Sequence, residues 1–260
     1  MPVLRVRDAL KRVVYPAYEA RLVRRLPSDR LPHHVGVMLD GNRRWARAVG
    51  ADAAAGHRAG AANISPFLQW CEELDIGIVT LWLLSTDNLN RREAELAELL
   101  GIIEAVVSEL AEVGRWRLNP VGALDLLPDT TASILKEAAA ATRHVDGVLV
   151  NIAVGYGGRR EIADAVRSLL QHHAEQGTSL EELAGVLDVE HIGEHLYTKG
   201  QPDPDLVIRT SGEQRLGGFL LWQSTHTEFY FCEAYWPAFR RVDFLRALRA
   251  YAARNRRYGQ

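Results

Sequence analysis

The sequence predicts a single α/β domain with a mainly parallel central sheet flanked by helices. Three observations lead there. Short, near-continuous apolar runs recur along the chain, as strands buried on both faces require. Longer stretches with apolar residues at helical spacing alternate with them. No internal repeat, low-complexity tract or Gly/Ser-rich linker divides the 260 residues, and a hydrophobic share of 47% is enough for one sizeable core.

The elements follow in order. Residues 1–30 read as an amphipathic helical extension in front of a body over residues 31–260. Val3, Leu4, Val6, Leu10, Val13 and Val14 are interleaved with Arg5, Arg7, Lys11 and Arg12; Pro16 interrupts, and Arg21, Arg24 and Arg25 follow. Such a segment can lie on the protein body or dock peripherally on an anionic membrane surface. It lacks a secretory pattern, and no apolar stretch in the chain approaches the roughly 20 residues that cross a bilayer.

The first strand, Val35–Leu39, stops at Asp40-Gly41. The second, Ile78–Leu84, ends in Ser85-Thr86-Asp87-Asn88. Leu96, Leu99, Leu100, Ile103, Val106, Val107 and Leu110 then give a helix one broad apolar face, and Pro128-Asp129 opens another helix. A third strand, Val148–Val154, leads into a helix over Gly158–His172. Leu206–Ile208 is the fourth strand, and Asp243–Arg254 closes the chain with Phe244, Leu245 and Leu248 on one side. Right-handed crossovers bring the strand ends Asp40, Ser85, Gly155 and Thr210 to one edge, where ligands bind in such folds.

Composition narrows the chemistry. A net charge of −2 provides no global field for nucleic acid, so any anion site must be a local arginine cluster. Cys71 and Cys232 are far apart and lack metal-ligand spacing, and read as buried thiols of a reducing, cytoplasmic setting.

Four clusters carry reactive or anion-binding side chains. Asp40-Gly41-Asn42-Arg43-Arg44-Trp45 places a carboxylate at a strand end, followed by a helix start whose first amides point outward. Arg43 and Arg44 add charge-assisted donors. A carboxylate beside a phosphate site implies a bridging cation, for which Mg²⁺ with oxygen ligands is suited. In the second cluster, His57 sits between Gly56 and Gly60, which permit close backbone approach. Third, Ser85-Thr86-Asp87-Asn88-Leu89-Asn90-Arg91 is polar at a buried strand's end, and Asp87 or Asn88 there can also cap the next helix. The fourth, Arg209-Thr210-Ser211-Gly212-Glu213-Gln214-Arg215, sets two arginines around a glycine turn, with Glu228 further on. An arginine directly after a buried strand is costly unless paired, and two converging guanidinium groups suit a diphosphate.

Together with Asn151-Ile152-Ala153-Val154-Gly155-Tyr156-Gly157-Gly158-Arg159, these blocks resemble, in order and spacing, the motifs of the cis-prenyltransferases, the family of undecaprenyl diphosphate synthase. The likeness runs from about Leu31 to the C-terminus. It implies that family's fold, in which sheet and helices enclose an apolar tunnel. It also implies condensation of isopentenyl diphosphate with an allylic diphosphate to give a Z-prenyl diphosphate, with Mg²⁺ as cofactor.

Residue by residue, the resemblance gives Asp40 the Mg²⁺ ion, with Glu228 as a second metal ligand. Gly41, Asn42, Arg43, Arg44, Trp45 and His57 hold the allylic starter. Ser85, Thr86, Asn88 and Arg91 lie near the reacting carbons, with Asn88 aiding the proton step. Arg209 and Arg215 bind isopentenyl diphosphate. Arg257-Tyr258-Gly259 matches an Arg-x-Gly ending that reaches the isopentenyl site across a homodimer interface.

Three positions depart from the family pattern. Ala53 stands where an arginine is common, Gly217 where a serine is frequent, and Asp87 where glutamate is usual. Leu83 replaces a small residue of long-chain members, and Leu89 a common tryptophan; with Leu84 they suggest a shallow tunnel. That look resembles short-chain synthases making (2Z,6E)-farnesyl diphosphate from geranyl diphosphate, with decaprenyl or undecaprenyl synthesis as the alternative.

Other readings are weaker. A phosphatase with an Asp40 nucleophile and a Thr210 or Ser211 hydroxyl needs a second aspartate where Asn42 stands. A dinucleotide fingerprint at Gly155-Tyr156-Gly157 fails at Arg160. A non-catalytic partner subunit can lose the metal-binding aspartate, which this chain retains.

Overall fold

The four apolar runs become the four central strands of one sheet. In the computed structural model, which describes residues 18–254, the strands are β1 (His34–Met38), β2 (Ile78–Ser85), β3 (Arg117–Val121), β4 (Leu149–Tyr156), β5 (Leu206–Arg209) and β6 (Glu228–Phe231). Their order across the sheet is β3-β4-β2-β1-β5-β6, and every pair is parallel. All residues of β1 and β5 are buried, which is why they read as unbroken apolar runs.

The chain lays β2 beside β1 first and adds β5 on the other side later. Its direction of growth therefore reverses at β1, and the carboxyl ends of β2, β1 and β5 frame a crevice. The register sets Met38 opposite both Trp82 and Arg209.

The two edge strands escaped the sequence reading. β3 contains Pro120, which an edge tolerates because one side of the strand needs no donor. β6 is only partly buried and carries no long apolar run.

Helices cover both faces. α1 (residues 18–23) precedes β1, and α2 (Asn42–Ala48), α3 (Ala53–Ala62) and α4 (Ile64–Glu72) join β1 to β2. α5 (Glu93–Val113) and α6 (Asp129–Thr142) flank β3. α7 (Gly158–Glu175), α8 (Leu180–Val186) and α9 (Val189–Gly193) lead to β5, and α10 (Arg241–Ala252) follows β6. α5 buries the expected stripe, Leu99 to Leu110.

Its start differs from expectation. Residues Thr86–Asn90 form a 3-10 turn of their own, capped by Ser85, whose Oγ accepts from the Asn88 amide at 3.2 Å. α5 begins only at Glu93, so neither Asp87 nor Asn88 caps it.

The core lies in two parts, one per sheet face. The larger joins β-strand residues such as Val37, Leu81 and Ile152 to α4, α5 and α10. In the smaller, Trp82 stacks on Phe219 with ring centroids 5.1 Å apart, beside Met38 and Tyr156. Trp82 and Leu83, adjacent on β2, thus serve opposite faces. Within the N-terminal segment, Leu22 is buried against Val242 and Leu245, which ties residues 18–26 to the body. The apolar and basic run over residues 1–17 lies outside the described residues. Both cysteines are buried free thiols.

Candidate active site

Asp40 leaves the sheet directly after β1. Its amide donates to Thr210 Oγ1 at 2.9 Å, and its carbonyl accepts from Thr210 Oγ1 at 2.8 Å and the Trp236 amide at 3.0 Å. Thr210 is therefore spent on locking β1 to β5, which removes it as the hydroxyl of a phosphatase. Gly41 follows at φ +100°, and a Cβ there would lie 2.6 Å from the Tyr235 ring, so only glycine makes this turn. α2 then starts at Asn42, whose Nδ2 donates back to Leu39 O at 3.2 Å.

The Asp40 carboxylate is gripped on both oxygens. Arg44 Nη2 lies 3.3 Å from Oδ1, and Arg209 Nη2 donates to Oδ2 at 2.9 Å. Burial by itself would raise the carboxyl pKa. Hydrogen bonds from Arg209 and Ser211, with the charges of Arg209 and Arg44, hold it below the usual value instead. Arg209 is only 6% exposed; its Nη1 donates to the Arg215 carbonyl, and its Nε has no partner. Arg44 also donates to Ser211 Oγ at 2.7 Å and to Glu213 Oε1 at 3.0 Å, and Arg215 pairs with the other oxygen of Glu213.

His57 arrives on α3, and the glycines around it explain how. A Cβ on Gly56 would sit 2.3 Å from Asn42 O, and one on Gly60 2.3 Å from Asn42 Oδ1. One turn apart on α3, they let α2 and α3 meet at backbone distance. Burial lowers the His57 pKa to about 4, helped by the charges of Arg91 and Arg43. The ring is neutral at pH 7, and its Nε2 has no protein partner. Glu95 holds Arg91 at 3.1 Å and Arg43 at 3.5 Å, while Arg91 Nε donates to Asn88 Oδ1 at 3.2 Å.

These side chains line one cavity of about 600 Å³ at the carboxyl edge of the sheet. It gathers Asp40, Gly41, Asn42, Arg43, Arg44, His57, Ser85, Asn88, Arg91, Arg209 and Arg215, with Leu83 and Leu84 in its apolar wall. Leu99, Trp82, Met38 and Leu39 complete that wall. Deeper residues on the large face, such as Leu81, Ile103 and Val107, are fully packed. Of the expected tunnel, the described residues show this short apolar end.

Several expected residues lie elsewhere. Trp45 is half-buried on α2 and Thr86 packs against Gly157, while Leu89 rests on the large core; none lines the cavity. Glu228, expected as a second metal ligand, lies apart from the cavity lining. It opens β6 level with Leu206, three residues or about 10 Å back along the strand from Arg209, and it pairs with Arg254. It does not join Asp40 in a metal site within this chain. Arg257 and Gly259 lie outside the described residues. Of the departures, Gly217 and Asp87 line the cavity and Ala53 does not.

Sequence reasoning missed Arg47 and Glu213, both in the lining. Arg47 follows Arg43 by one helical turn, a spacing that could have exposed it. Glu213 stood unassigned inside the fourth cluster.

Among the described residues, no group of three or more His, Cys, Asp or Glu side chains can hold a metal. The Asp40 carboxylate among cavity-lining arginines nonetheless fits Mg²⁺, which keeps several waters and binds through one or two carboxylates plus substrate phosphates.

The comparisons with known proteins show the family. A family model described as putative undecaprenyl diphosphate synthase matches residues 38–259. The chain is 62% identical over 247 residues to a (2Z,6E)-farnesyl diphosphate synthase of Thermobifida fusca, covering 95% of this chain and 97% of that one. It is 61% identical over 256 residues to isoprenyl transferase 1 of Streptomyces avermitilis, covering 98% and 100%. The crystal structure of lavandulyl diphosphate synthase from Lavandula x intermedia, in complex with dimethylallyl diphosphate, superposes with a TM-score of 0.83 at 33% identity, over 89% of this chain and 100% of that one.

Fold, arginine-lined cavity and relatives together define a prenyltransferase, an enzyme that works on prenyl diphosphates. Within that class the chain belongs to the undecaprenyl diphosphate synthase family, the cis-prenyltransferases.

Proposed function

We propose that this enzyme adds isopentenyl diphosphate to geranyl diphosphate and releases (2Z,6E)-farnesyl diphosphate after one condensation. The observation that carries this reading is the cavity itself: an arginine-rich mouth around Asp40, and a short apolar wall ending at Leu83, Leu84 and Leu99. The name of the Thermobifida fusca relative supports the same product.

In this reading Arg43, Arg44 and His57 hold the diphosphate of the allylic starter, and Arg209 and Arg215 hold that of isopentenyl diphosphate. The carbon–oxygen bond at C1 of the starter breaks as its diphosphate departs. The isopentenyl double bond supplies electrons for the new carbon–carbon bond, and a proton is then lost to leave a Z double bond. Fixed guanidinium groups stabilise the charge that gathers on the departing diphosphate. Asp40 would hold Mg²⁺ against the diphosphates, and the ion would neutralise part of that charge. Neutral His57 offers an unpartnered ring nitrogen to the same anion. Ser85 and Asn88 stand beside the reacting carbons, and Arg91 keeps the Asn88 amide oriented.

The resemblance also supports a homodimer whose Arg257–Gly259 ending completes the isopentenyl site. No helix among the described residues is long and apolar enough to cross a membrane, and peripheral contact through residues 1–17 stays an extension of this proposal.

The test incubates the purified protein with Mg²⁺, isopentenyl diphosphate and starters of increasing length, and sizes the products. A dominant C15 product from geranyl diphosphate is expected. Predominant C50 or C55 product would overturn the short-chain assignment and leave family membership intact.

A further inference from the structure

Six arginines line the cavity, Arg43, Arg44, Arg47, Arg91, Arg209 and Arg215, against three carboxylates, Asp40, Asp87 and Glu213. Glu213, like Asp40 with Arg44 and Arg209, spans two guanidinium groups, but it does so from the loop at the mouth. One of its oxygens accepts from Arg44 Nη1 at 3.0 Å, and the other pairs with Arg215. Arg44 comes from the first turn of α2 and Arg215 from the loop after β5, so a single carboxylate bridges the two elements that bound the mouth.

A carboxylate spanning two guanidinium groups makes the same contacts as a phosphate: oxygen acceptors on a planar fork. The segment that carries Glu213 is built to turn. Ser211 and Gly212 lie at φ +81° and +74° before it, and Gly217 and Gly218 at +60° and +91° after it. Residues 213–216 therefore form a short loop between two left-handed turns.

We propose that Glu213 is an internal stand-in for diphosphate: it occupies Arg44 and Arg215 in the free enzyme and is displaced by the incoming substrate anion. The inference rests on reading the arginines as a diphosphate site. Arg44 keeps Asp40 as a second counter-ion, whereas Glu213 is the carboxylate that pairs with Arg215 and draws it toward Arg44. With Glu213 they stay converged, at the expense of affinity, because the substrate must break two ion pairs. Exposed pairs of this kind contribute about 0.2–1 kcal/mol each, so freeing both guanidinium groups strengthens anion binding by about two- to thirtyfold.

Isothermal titration calorimetry with inorganic pyrophosphate decides the matter. Glu213→Gln keeps the side chain's shape and removes its charge; Glu213→Asp shortens it so that it no longer bridges both arginines. Both variants are expected to bind pyrophosphate about two- to thirtyfold more tightly than the wild type, with unchanged circular dichroism. Equal or weaker binding by both, while the wild type binds well, overturns the stand-in role and leaves the diphosphate site standing. Absence of binding in all three proteins overturns both. Should one variant fail to fold, the other carries the comparison.

Discussion

Asp40 shows what a single side chain does in this site. Both its oxygens are hydrogen-bonded to arginines, and Arg209 behind it is buried. Asp40→Asn keeps the volume and one acceptor but removes the charge that holds Arg209 and would hold a cation. Loss of one charge-stabilising group from such a centre lowers kcat by about 10²–10³. Single-turnover assays of the variant should show that fall with far-UV circular dichroism unchanged. The carboxyl pKa is depressed in the folded state. Asp40 therefore adds stability above its unfolded value, and that contribution fades as pH falls through the folded one. Cavity-lining residues were legible where a charged group stands at a strand end, as Asp40 and Arg209 do, and His57 on α3 stood out between its two glycines. Where Glu228 lies within the chain was not legible, because a resemblance in sequence carries no register. Only the pairing of β6 with β5 shows that it faces Arg254.

Elements place these groups, and two of them can be tested directly. The meeting of α2 and α3 depends on Gly56 and Gly60, where a Cβ would come within 2.3 Å of Asn42 oxygens. Gly56→Ala must push α2 away, because the atom it meets is the Asn42 backbone carbonyl, costing about 1–3 kcal/mol as overpacking does, and it should raise KM for the allylic starter because Asn42 and Arg43 ride on α2. Gly185→Ala on α8 is the control: nothing lies within 4 Å of its added Cβ. It should stabilise by about 0.5–1 kcal/mol through helix propensity. A urea melt of each variant gives both values.

On β2, Leu83 and Trp82 both reach the apolar wall of the cavity, Leu83 from the large core and Trp82 from the small one. Leu83→Ala removes three carbons from that wall, and product sizing should reveal species longer than C15. An unchanged C15 product would show that the wall does not set length. The central strands were legible because burial on both faces leaves apolar runs. β3 and β6 were not, because an edge strand needs neither an apolar run nor freedom from proline. The 3-10 turn at Thr86–Asn90 hid behind residues that serve equally well as caps.

Across the whole molecule, a buried polar seam crosses the sheet away from the active site. Asn119 Nδ2 donates to Asn151 Oδ1 at 2.7 Å, Asn151 Nδ2 donates to Thr80 Oγ1 at 2.9 Å, and Thr80 Oγ1 lies 2.8 Å from His34 Nε2. His34 Nδ1 lies 2.8 Å from the Pro202 carbonyl, which can only accept. The proton is therefore on Nδ1, the Thr80 hydroxyl donates to Nε2, and four strands are joined to the loop before β5. A second proton on the ring would set two donors face to face. Burial lowers the His34 pKa to about 4, only partly opposed by the Pro202 carbonyl and Asp205, while His33 lowers it further. The unfolded chain binds that proton near pH 6.5, so the seam's contribution is complete above this pH and drains away as pH falls toward 4. Between pH 7 and 5 the loss from this group is about 2 kcal/mol. His57 titrates in the same window, so the decisive quantity is a difference. Wild type should lose about 2 kcal/mol more than His34→Gln between those pH values in urea unfolding, because glutamine carries no titrating proton. Parallel losses in the two proteins would mean that the seam accepts the proton without strain, and that acid destabilises the molecule elsewhere.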